Sequence, residues 1–472
     1  MSRPPLARNR IDDLLDAFAP LSGQALAVNP LAWPDYPAML ERARARTGDE
    51  QAVTAGRARA AGHACVAVIF NFAFMGGSMG EAEGARITDA IAVAIAERLP
   101  FVSVLSTGGA RMQEGMRALL QMQRVARGLV ELGTAGLPHV CVARHPTTGG
   151  VWASLGAGAD LILAEADAAV AFAGSRVRGA SGGDSEPFTA QAKWRHGFID
   201  AALPRAALRE RLALAVGLLS PATRGEPRLA PLPLALSGEP PQHGWAQVLR
   251  ARDPGRPRAA DYLDHYFEQS LELRGDRVGG VDPSVRCGFG SRDGRTIAFV
   301  AQTGGSTSAA GYRTAQRLVE LASRLELPIL TLIDSPGADS GADAESHGVA
   351  TAIAGLLRAI AAATVPILSV TVGEGGSGGS LSLASADNLW ITADGYFSVI
   401  TPESATAILK RDPGDVPVVA DQLRLGPSEL QELGVVRGVL PGVPEGPNLV
   451  GRGRDRAQAG SADPIHGSRP VG

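Results

Sequence analysis

The sequence predicts an α/β protein built from two like halves, and three observations carry that reading. Short β-rich runs alternate with helical ones along most of the 472 residues. Stretches of the two halves match in fixed register: "LPFVSVLSTGGA" from residue 99 answers "LPILTLIDSPGA" from 327, and "LPHVCVARHPTTGG" from 137 answers "VPILSVTVGEGGSGG" from 365. Pro100 and Pro328 stand 228 positions apart, as do Pro138 and Pro366, so the chain is a tandem duplication. In each half a strand runs into a glycine-rich turn that opens a helix, and it does so twice.

The elements follow in chain order. Residues 1–50 are expected to form a helical cap, with "RIDDLLDAF" and "DYPAMLERARART" as its amphipathic pieces. Residues 51–219 form the first α/β domain, with strands in "ACVAVIFNFAF", "PFVSVLS", "PHVCVAR", "DLILAE" and "AAVAFAG". Residues 220–258 read as a linker because proline and glycine crowd "SPATRGEPRLAPLPLALSGEPPQHG". The second α/β domain spans 259–442 and is predicted to open with a helix in "ADYLDHYFEQSLEL". Residues 443–472 have almost nothing to bury and are expected to be disordered.

Composition limits the function. With 45% hydrophobic and 20% charged residues, the chain can core two domains. A net charge of −3 and 5% aromatic residues give no basic footprint for nucleic acid. The N-terminus lacks the apolar core of a signal peptide and no stretch is apolar enough to span a bilayer, so no membrane contact and a cytoplasmic location are expected. Cys65, Cys141 and Cys287 lack CxxC spacing, which predicts buried thiols and no metal site.

The glycine turns are the chemically suggestive feature. Gly108 and Gly109 stand between the strand at 101–105 and a helix carrying Met116, Leu119, Leu120 and Met122. Glycine lets backbone approach a ligand, and the first amides of a helix are unpaired donors at the positive end of its dipole. Two such amides can hold an oxyanion. The same turn can serve tight helix–strand packing; a phosphate cradle would need GxxxxGK[ST] or GxGxxG, and neither is present. GxSxG and HExxH are missing, and the isolated His145 and His347 read as surface or satisfied residues. Oxyanion donors without an obvious base point to a substrate or cofactor that moves the proton itself.

The chain is similar to the bacterial acetyl-CoA carboxylase carboxyltransferase. "FNFAFMGGSMGEAEGARI", "TGGARMQEGMRALLQM", "PTTGGVWASLGAGADLILAE" and "FAGSRV" resemble its β subunit; "LELRGDR", "GYRTAQRLVELASRLELPILTLIDSPGA", "GEGGSGGSLSLASADNLW" and "YFSVITPESATAILKRD" resemble its α subunit. The likeness covers about residues 8–442 and implies a β–α fusion of two tandem crotonase-like domains (ββα-superhelix, ClpP/crotonase). It implies that the thioester oxygen of an acyl-CoA faces Gly108 and Gly109. It also implies that carboxybiotin on a separate carrier protein faces Gly378, Gly379 and Ser380. Gly76, Gly77, Thr148, Gly149, Gly150, Phe172, Ala173 and Gly174 are the implied substrate-binding residues. Arg111 joins them, unless it and Glu114 form a structural ion pair behind the turn. A homodimer is implied, its site shared between the first domain of one protomer and the second of the other. A biotin carboxylase and a biotin carboxyl carrier are the implied partners.

Departures from the family keep a second chemistry open. The β subunit's zinc ribbon is missing, the basic stretch before "GYR" is reduced to "TGGSTSAAGYR", and "DTPGAYPG" becomes "DSPGADSG". Decarboxylation of a malonyl thioester on CoA or an acyl carrier protein would use the same oxyanion hole without biotin. A catalytically dead scaffold is the third reading, against which stand the intact "TGGAR" and "GEGGSGGS".

Overall fold

The computed structural model describes residues 14–22, 29–174, 186–225 and 241–440. The tail at 443–472, the start of "RIDDLLDAF" and residues 226–240 of the linker lie outside them.

Half one contributes β1 (Ala17–Pro20), β2 (Val53–Ala60), β3 (His63–Phe70), β4 (Phe101–Thr107), β5 (His139–Thr148), β6 (Leu161–Glu165), β7 (Val170–Ala171) and β8 (Ala201–Leu203). They form one sheet in the order β1-β2-β3-β4-β5-β6-β8, with β7 beside β5. β2 and β3 are a hairpin whose two turn residues, Ala61 and Gly62, have φ of 45° and 85°, the primed geometry that suits the strand twist. From β3 to β6 the pairing is parallel, so helices must carry the chain back each time. α2 (Glu81–Glu97) makes the return from β3 to β4, α3 (Met116–Thr134) that from β4 to β5, and the short helical stretch 149–156 that from β5 to β6, while α1 (Tyr36–Thr47) precedes β2 and α4 (Arg205–Leu218) follows β8.

Half two repeats the plan. After α5 (Gly244–Arg252) and α6 (Ala259–Tyr266) come β9 (Gln269–Leu273), β10 (Val285–Arg292), β11 (Arg295–Gln302), β12 (Ile329–Ser335), β13 (Ile367–Gly376), β14 (Leu389–Thr392), β15 (Tyr396–Ser398) and β16 (Val439–Leu440), with α7 (Ala309–Arg324) and α8 (Val349–Ala362) between them. The sheet order is β16-β14-β13-β12-β11-β10-β9, with β15 beside β13. The duplication holds residue by residue where it counts, since the isolated bridges Met79↔Ala110 and Thr307↔Ala338 are both displaced by 228 positions.

Three expectations are corrected. Residues 17–18 of "RIDDLLDAF" enter strand β1, because Ala17 and Phe18 pair with Arg59 and Ala58. The helix predicted over "ADYLDHYFEQSLEL" stops at Tyr266; "QSLEL" is β9, with Leu271 and Leu273 buried on alternate positions as a strand requires. "GWAQVLRAR", inside the predicted linker, is α5, and it buries Val248 and Ala251 against Tyr396, Ala420 and Leu425.

The halves share one core. Val104, Val142 and Leu163 of half one and Leu208, Leu212 and Val216 of α4 belong to the same apolar cluster as Phe289, Val300, Leu318 and Ile329 of half two. Charged contacts line this seam. Arg277 and Arg317 both reach the buried Asp200, at 2.6 and 3.2 Å, while Arg324 reaches Asp160 at 2.5 Å and the Leu137 carbonyl at 3.2 Å. Burial alone would raise the Asp200 carboxyl, but Arg277 and Arg317 outweigh it and hold the group below the usual carboxylate range. Cys65, Cys141 and Cys287 are buried free thiols. Among the described residues no helix is long and apolar enough to cross a membrane.

Candidate active site

Direct contacts gather the glycines of half one. The Gly108 amide donates to the Gly76 carbonyl at 2.8 Å, and Thr107 Oγ1 donates to the Gly77 carbonyl at 2.7 Å. Gly109, at φ 109°, lies against Gly149, at φ 76°: a Cβ built on Gly149 would lie 2.7 Å from the Gly109 Cα. No side chain fits there without moving backbone, so the two glycines are the condition for the two turns to touch. Thr148 Oγ1 donates to the Thr107 carbonyl at 3.2 Å, the Gly149 amide donates to the Phe172 carbonyl at 2.9 Å, and a Cβ on Gly174 would meet Thr148 Oγ1 at 3.4 Å. Gly76, Gly77, Gly108, Gly109, Thr148, Gly149, Gly150, Phe172, Ala173 and Gly174 are thus brought to one place, at the C-terminal ends of β4 and β5.

Two of the amides that the sequence suggests as donors already have acceptors. The amides of Gly108 and Gly109 are engaged within the turn, by the Gly76 carbonyl and by Thr107 Oγ1 at 3.0 Å. Ala110 is the bridge residue: Met79 donates to the Gly109 carbonyl at 2.9 Å and Arg111 donates back to Met79 at 2.8 Å, so the Ala110 amide points away from Met79. Gly150 lies in the first turn of the short helix Gly149–Val151, where amides have no intrahelical acceptor.

Half two repeats the geometry with different residues. The Gly337 amide donates to Ser335 Oγ at 3.0 Å, as Gly109 does to Thr107, and Thr307 donates to the Gly337 carbonyl at 3.0 Å. Ser377 stands where half one has Gly149 and keeps its left-handed backbone, φ 60°. Gly378 is exposed, and a Cβ there would meet no atom within 4 Å. Gly379 is packed instead, since a Cβ placed on it would fall 2.5 Å from both the Ala338 nitrogen and the Tyr312 hydroxyl. The Ser380 side chain is fully buried and braces the turn, accepting from the Gly376 amide and donating to the Ser335 carbonyl, both at 3.0 Å.

Sequence reading missed Ala110, Gly337, Ala338 and Tyr312. The register of the duplication carried the signal for two of them, since 228 residues beyond Gly109 and Ala110 stand Gly337 and Ala338. The Arg111 side chain is not in the cluster. It is 1% exposed and bonded to Glu83 at 2.6 Å, to the Ser78 carbonyl at 2.7 Å and to Glu114 and the Tyr36 hydroxyl at 3.3 Å, which is the structural ion pair. His145 Nδ1 accepts from the Ala169 amide at 3.2 Å, and His347 Nδ1 sits 2.8 Å from the Asp343 carbonyl.

A cavity of about 420 Å³ opens beside the cluster, lined by Phe70, Asn71, Ser106, Arg144, His145 and Glu165 among others. Ser106 and Arg144 alternate with Leu105 and Ala143, which places the cavity on the α4 face of the sheet, the opposite face from the α2–α3 core. In half two this place is filled: Asp334, the counterpart of Ser106, holds the buried Arg256 guanidinium at 2.5 Å.

Comparison with known proteins accounts for both halves. Residues 21–194 match the carboxyl transferase domain family and residues 242–449 the acetyl co-enzyme A carboxylase carboxyltransferase-like family. The acetyl-coenzyme A carboxylase carboxyl transferase subunits beta/alpha of Salinispora arenicola (strain CNS-205) is 41% identical over 467 residues, covering 92% of this chain and 82% of that protein. The probable biotin-dependent acyl-coenzyme A carboxylase beta3 subunit of Mycobacterium bovis is 34% identical, covering 88% of this chain and 86% of that one. Among solved structures, transcarboxylase 12S, described as a hexamer assembly with methylmalonyl-coenzyme A bound, superimposes with a TM-score of 0.74 at 20% identity over 98% of this chain and 92% of its own. A single-chain, multi-domain long-chain acyl-CoA carboxylase gives 0.73 at 19% identity, over 92% of this chain and 44% of its own. The architecture is two tandem crotonase-like domains, and the chain belongs to the acetyl-CoA carboxylase carboxyl transferase β/α family.

Proposed function

We propose that the chain moves a carboxyl group between carboxybiotin, held by a separate carrier protein, and an acyl-CoA thioester of the acetyl to malonyl type. The observation that supports this most is the repeated turn pair: each half sets an amide of a bridge residue, Ala110 or Ala338, beside the first amides of a helix, at Gly150 or Gly378. Ala110 and Gly150 hold the thioester oxygen and stabilise it as the α-carbon becomes an enolate, each donor being worth about 3 kcal/mol in comparable sites. Ala338 and Gly378 hold the ureido oxygen of biotin. The open space over Gly378 fits an acceptor there, whereas a larger residue would fill it. When bound, carboxybiotin supplies the carboxyl group and, after losing it, a basic nitrogen; this chain's role is to hold the two acceptors and exclude water. Thr148, Phe172 and Ala173 line the acyl side.

The two turns of one chain do not serve one site. In half one the seam contacts at Leu137, Asp160 and Asp200 lie at the starts of β5, β6 and β8, while the turn lies at the far end of β4, about 20 Å along its seven residues. In half two, Arg324 enters the seam just before β12 and Gly337 follows its end. A joint site therefore needs two copies of the chain, half one of each facing half two of the other. Apolar side chains beside each turn wait for such a contact: Met112 and Phe172 in half one are 69% and 72% exposed, and Leu381 and Val399 in half two are 48% and 75% exposed. Light scattering should give at least a dimer; a monomer at working concentration would overturn the shared site.

The deciding assay is purified protein with malonyl-CoA, with and without free biotin, read by mass spectrometry. Acetyl-CoA formed only with biotin is the expected result. Acetyl-CoA formed equally without biotin would replace transfer by decarboxylation of the malonyl thioester.

A further inference from the structure

Behind the first turn lies a charge cluster that half two does not repeat. Arg111, Glu83 and Glu114 are 1%, 0% and 3% exposed, and Tyr36 of α1 is 1% exposed. Glu83 accepts from the Gly80 amide at 2.9 Å, from the Ala52 amide at 3.1 Å and from Arg111 at 2.6 Å. Glu114 accepts from the Glu81 amide at 2.6 Å and from the Tyr36 hydroxyl at 2.5 Å. Burial and the neighbouring Glu114 push the Tyr36 phenol well above its usual range, so it stays a neutral donor. A Cβ on Gly80 would collide with the Glu114 carboxylate, which therefore has no room to move on that side.

Burying three ionised groups is a poor source of stability, since apolar residues of like volume serve as well or better. Their placement suits orientation instead. Arg111 grips both sides of Met79, through its own amide to the Met79 carbonyl at 2.8 Å and through its guanidinium to Ser78. Ala110, whose amide is the donor argued above, is fixed between that grip and the Gly109 carbonyl. In half two the counterparts of Glu83, Arg111 and Glu114 are Gly311, Asp339 and Ala342, and Asp282 holds the start of α7 through Ser308 at 2.7 Å.

We infer that Tyr36, through Glu114 and Arg111, is a positioning residue that sets the aim of the Ala110 amide; the inference rests on the carboxyltransferase reading. It makes α1, which precedes the duplicated unit, part of the acyl-side machinery. Tyr36→Phe keeps the ring and removes the hydroxyl. In biotin-dependent turnover of malonyl-CoA, kcat should fall about tenfold with KM within about twofold, the pattern of a misaimed transition-state contact. Deuterium exchange over residues 108–115 should rise about tenfold while α3 is unchanged. Tyr36→Phe combined with Glu114→Gln should be no slower than Glu114→Gln alone, because the two act in one chain of contacts. Wild-type kcat and exchange in Tyr36→Phe, or losses that multiply in the double variant, would overturn the inference. If the wild type shows no biotin-dependent turnover, the functional reading fails, and the exchange measurement still decides whether Tyr36 holds the turn.

Discussion

Half one and half two present the same two turns on the same strands, yet they finish them differently. In half one the turns meet glycine to glycine, Gly109 on Gly149, and a buried Arg111 with two glutamates fixes the approach. In half two a serine sits at the matching position, Gly378 opens to solvent, and the cavity on the other face of the sheet is filled by Arg256. The difference matches the two acceptors proposed for them. A small thioester carbonyl whose α-carbon must be activated calls for a closely defined pair of donors. A carrier-borne group that comes and goes calls for an open one.

The contrast breaks most sharply at Gly149. Gly149→Ala puts a methyl 2.7 Å from the Gly109 Cα and 3.0 Å from the Gly108 carbonyl at a φ of 76°, so the two turns must part. Biotin-dependent turnover should fall at least about a thousandfold, the cost of losing both position and donor, and stability should drop by about 1–3 kcal/mol. Near-normal kcat in this variant would remove the first turn from the chemistry. Gly378→Val is the complementary case. Nothing within 4 Å opposes its Cβ, so the melting temperature should hold while turnover falls about a hundredfold and binding of acyl-CoA, followed by calorimetry, is unchanged. Weakened acyl-CoA binding instead would mean that the second turn also serves the thioester.

Much of this was legible in the sequence, for reasons that differ by residue. The strands ending at Thr107 and Ser335 are buried throughout and, Asp334 apart, built of apolar and small residues, so their runs stand out. The glycines stand out because only glycine allows the backbone approach. What the chain did not reveal is direction: whether Gly108 or Ala110 presents its amide depends on the bridge to Met79, about 30 residues away, and no local pattern records such pairing. For Arg111 the resemblance implied a substrate ligand and the sequence left a pair with Glu114 as the other reading; the fold gives the pair and adds Glu83, 28 residues upstream, which no local pattern marked. Helix α5 read as linker because the proline-rich run before it masked a nine-residue amphipathic segment.

The seam between the halves gives a smaller effect with a clear pH signature. Asp200 has its carboxyl held below the usual range, burial opposing and Arg277 and Arg317 prevailing. A group depressed in the folded state contributes stability above its unfolded value, near pH 4, and loses that contribution as pH falls further. Stability should be flat from pH 7 to 5 in this respect and fall below about pH 4. Arg317→Met removes one partner while Arg277 remains at 2.6 Å, so the loss should be about 2 kcal/mol at neutral pH, with the acid limb moved upward in circular-dichroism titrations. An unshifted acid limb would show that Arg277 alone carries the seam at Asp200.

Ser377 supplies the finest comparison of the two turns. A left-handed backbone costs a serine about 1–2 kcal/mol, while glycine adds about 0.5–1 kcal/mol of unfolded-state entropy, so Ser377→Gly should stabilise by less than about 1 kcal/mol. The structural effect should be nearly invisible, a rise of about 1 °C. The kinetic effect is the informative one. If the second turn must stay strained and open to admit a carrier-borne acceptor, giving it the glycine of half one should slow turnover by up to about threefold at unchanged acyl-CoA affinity. If turnover rises instead, the strain at Ser377 is incidental, and the openness of half two rests on Gly378 alone.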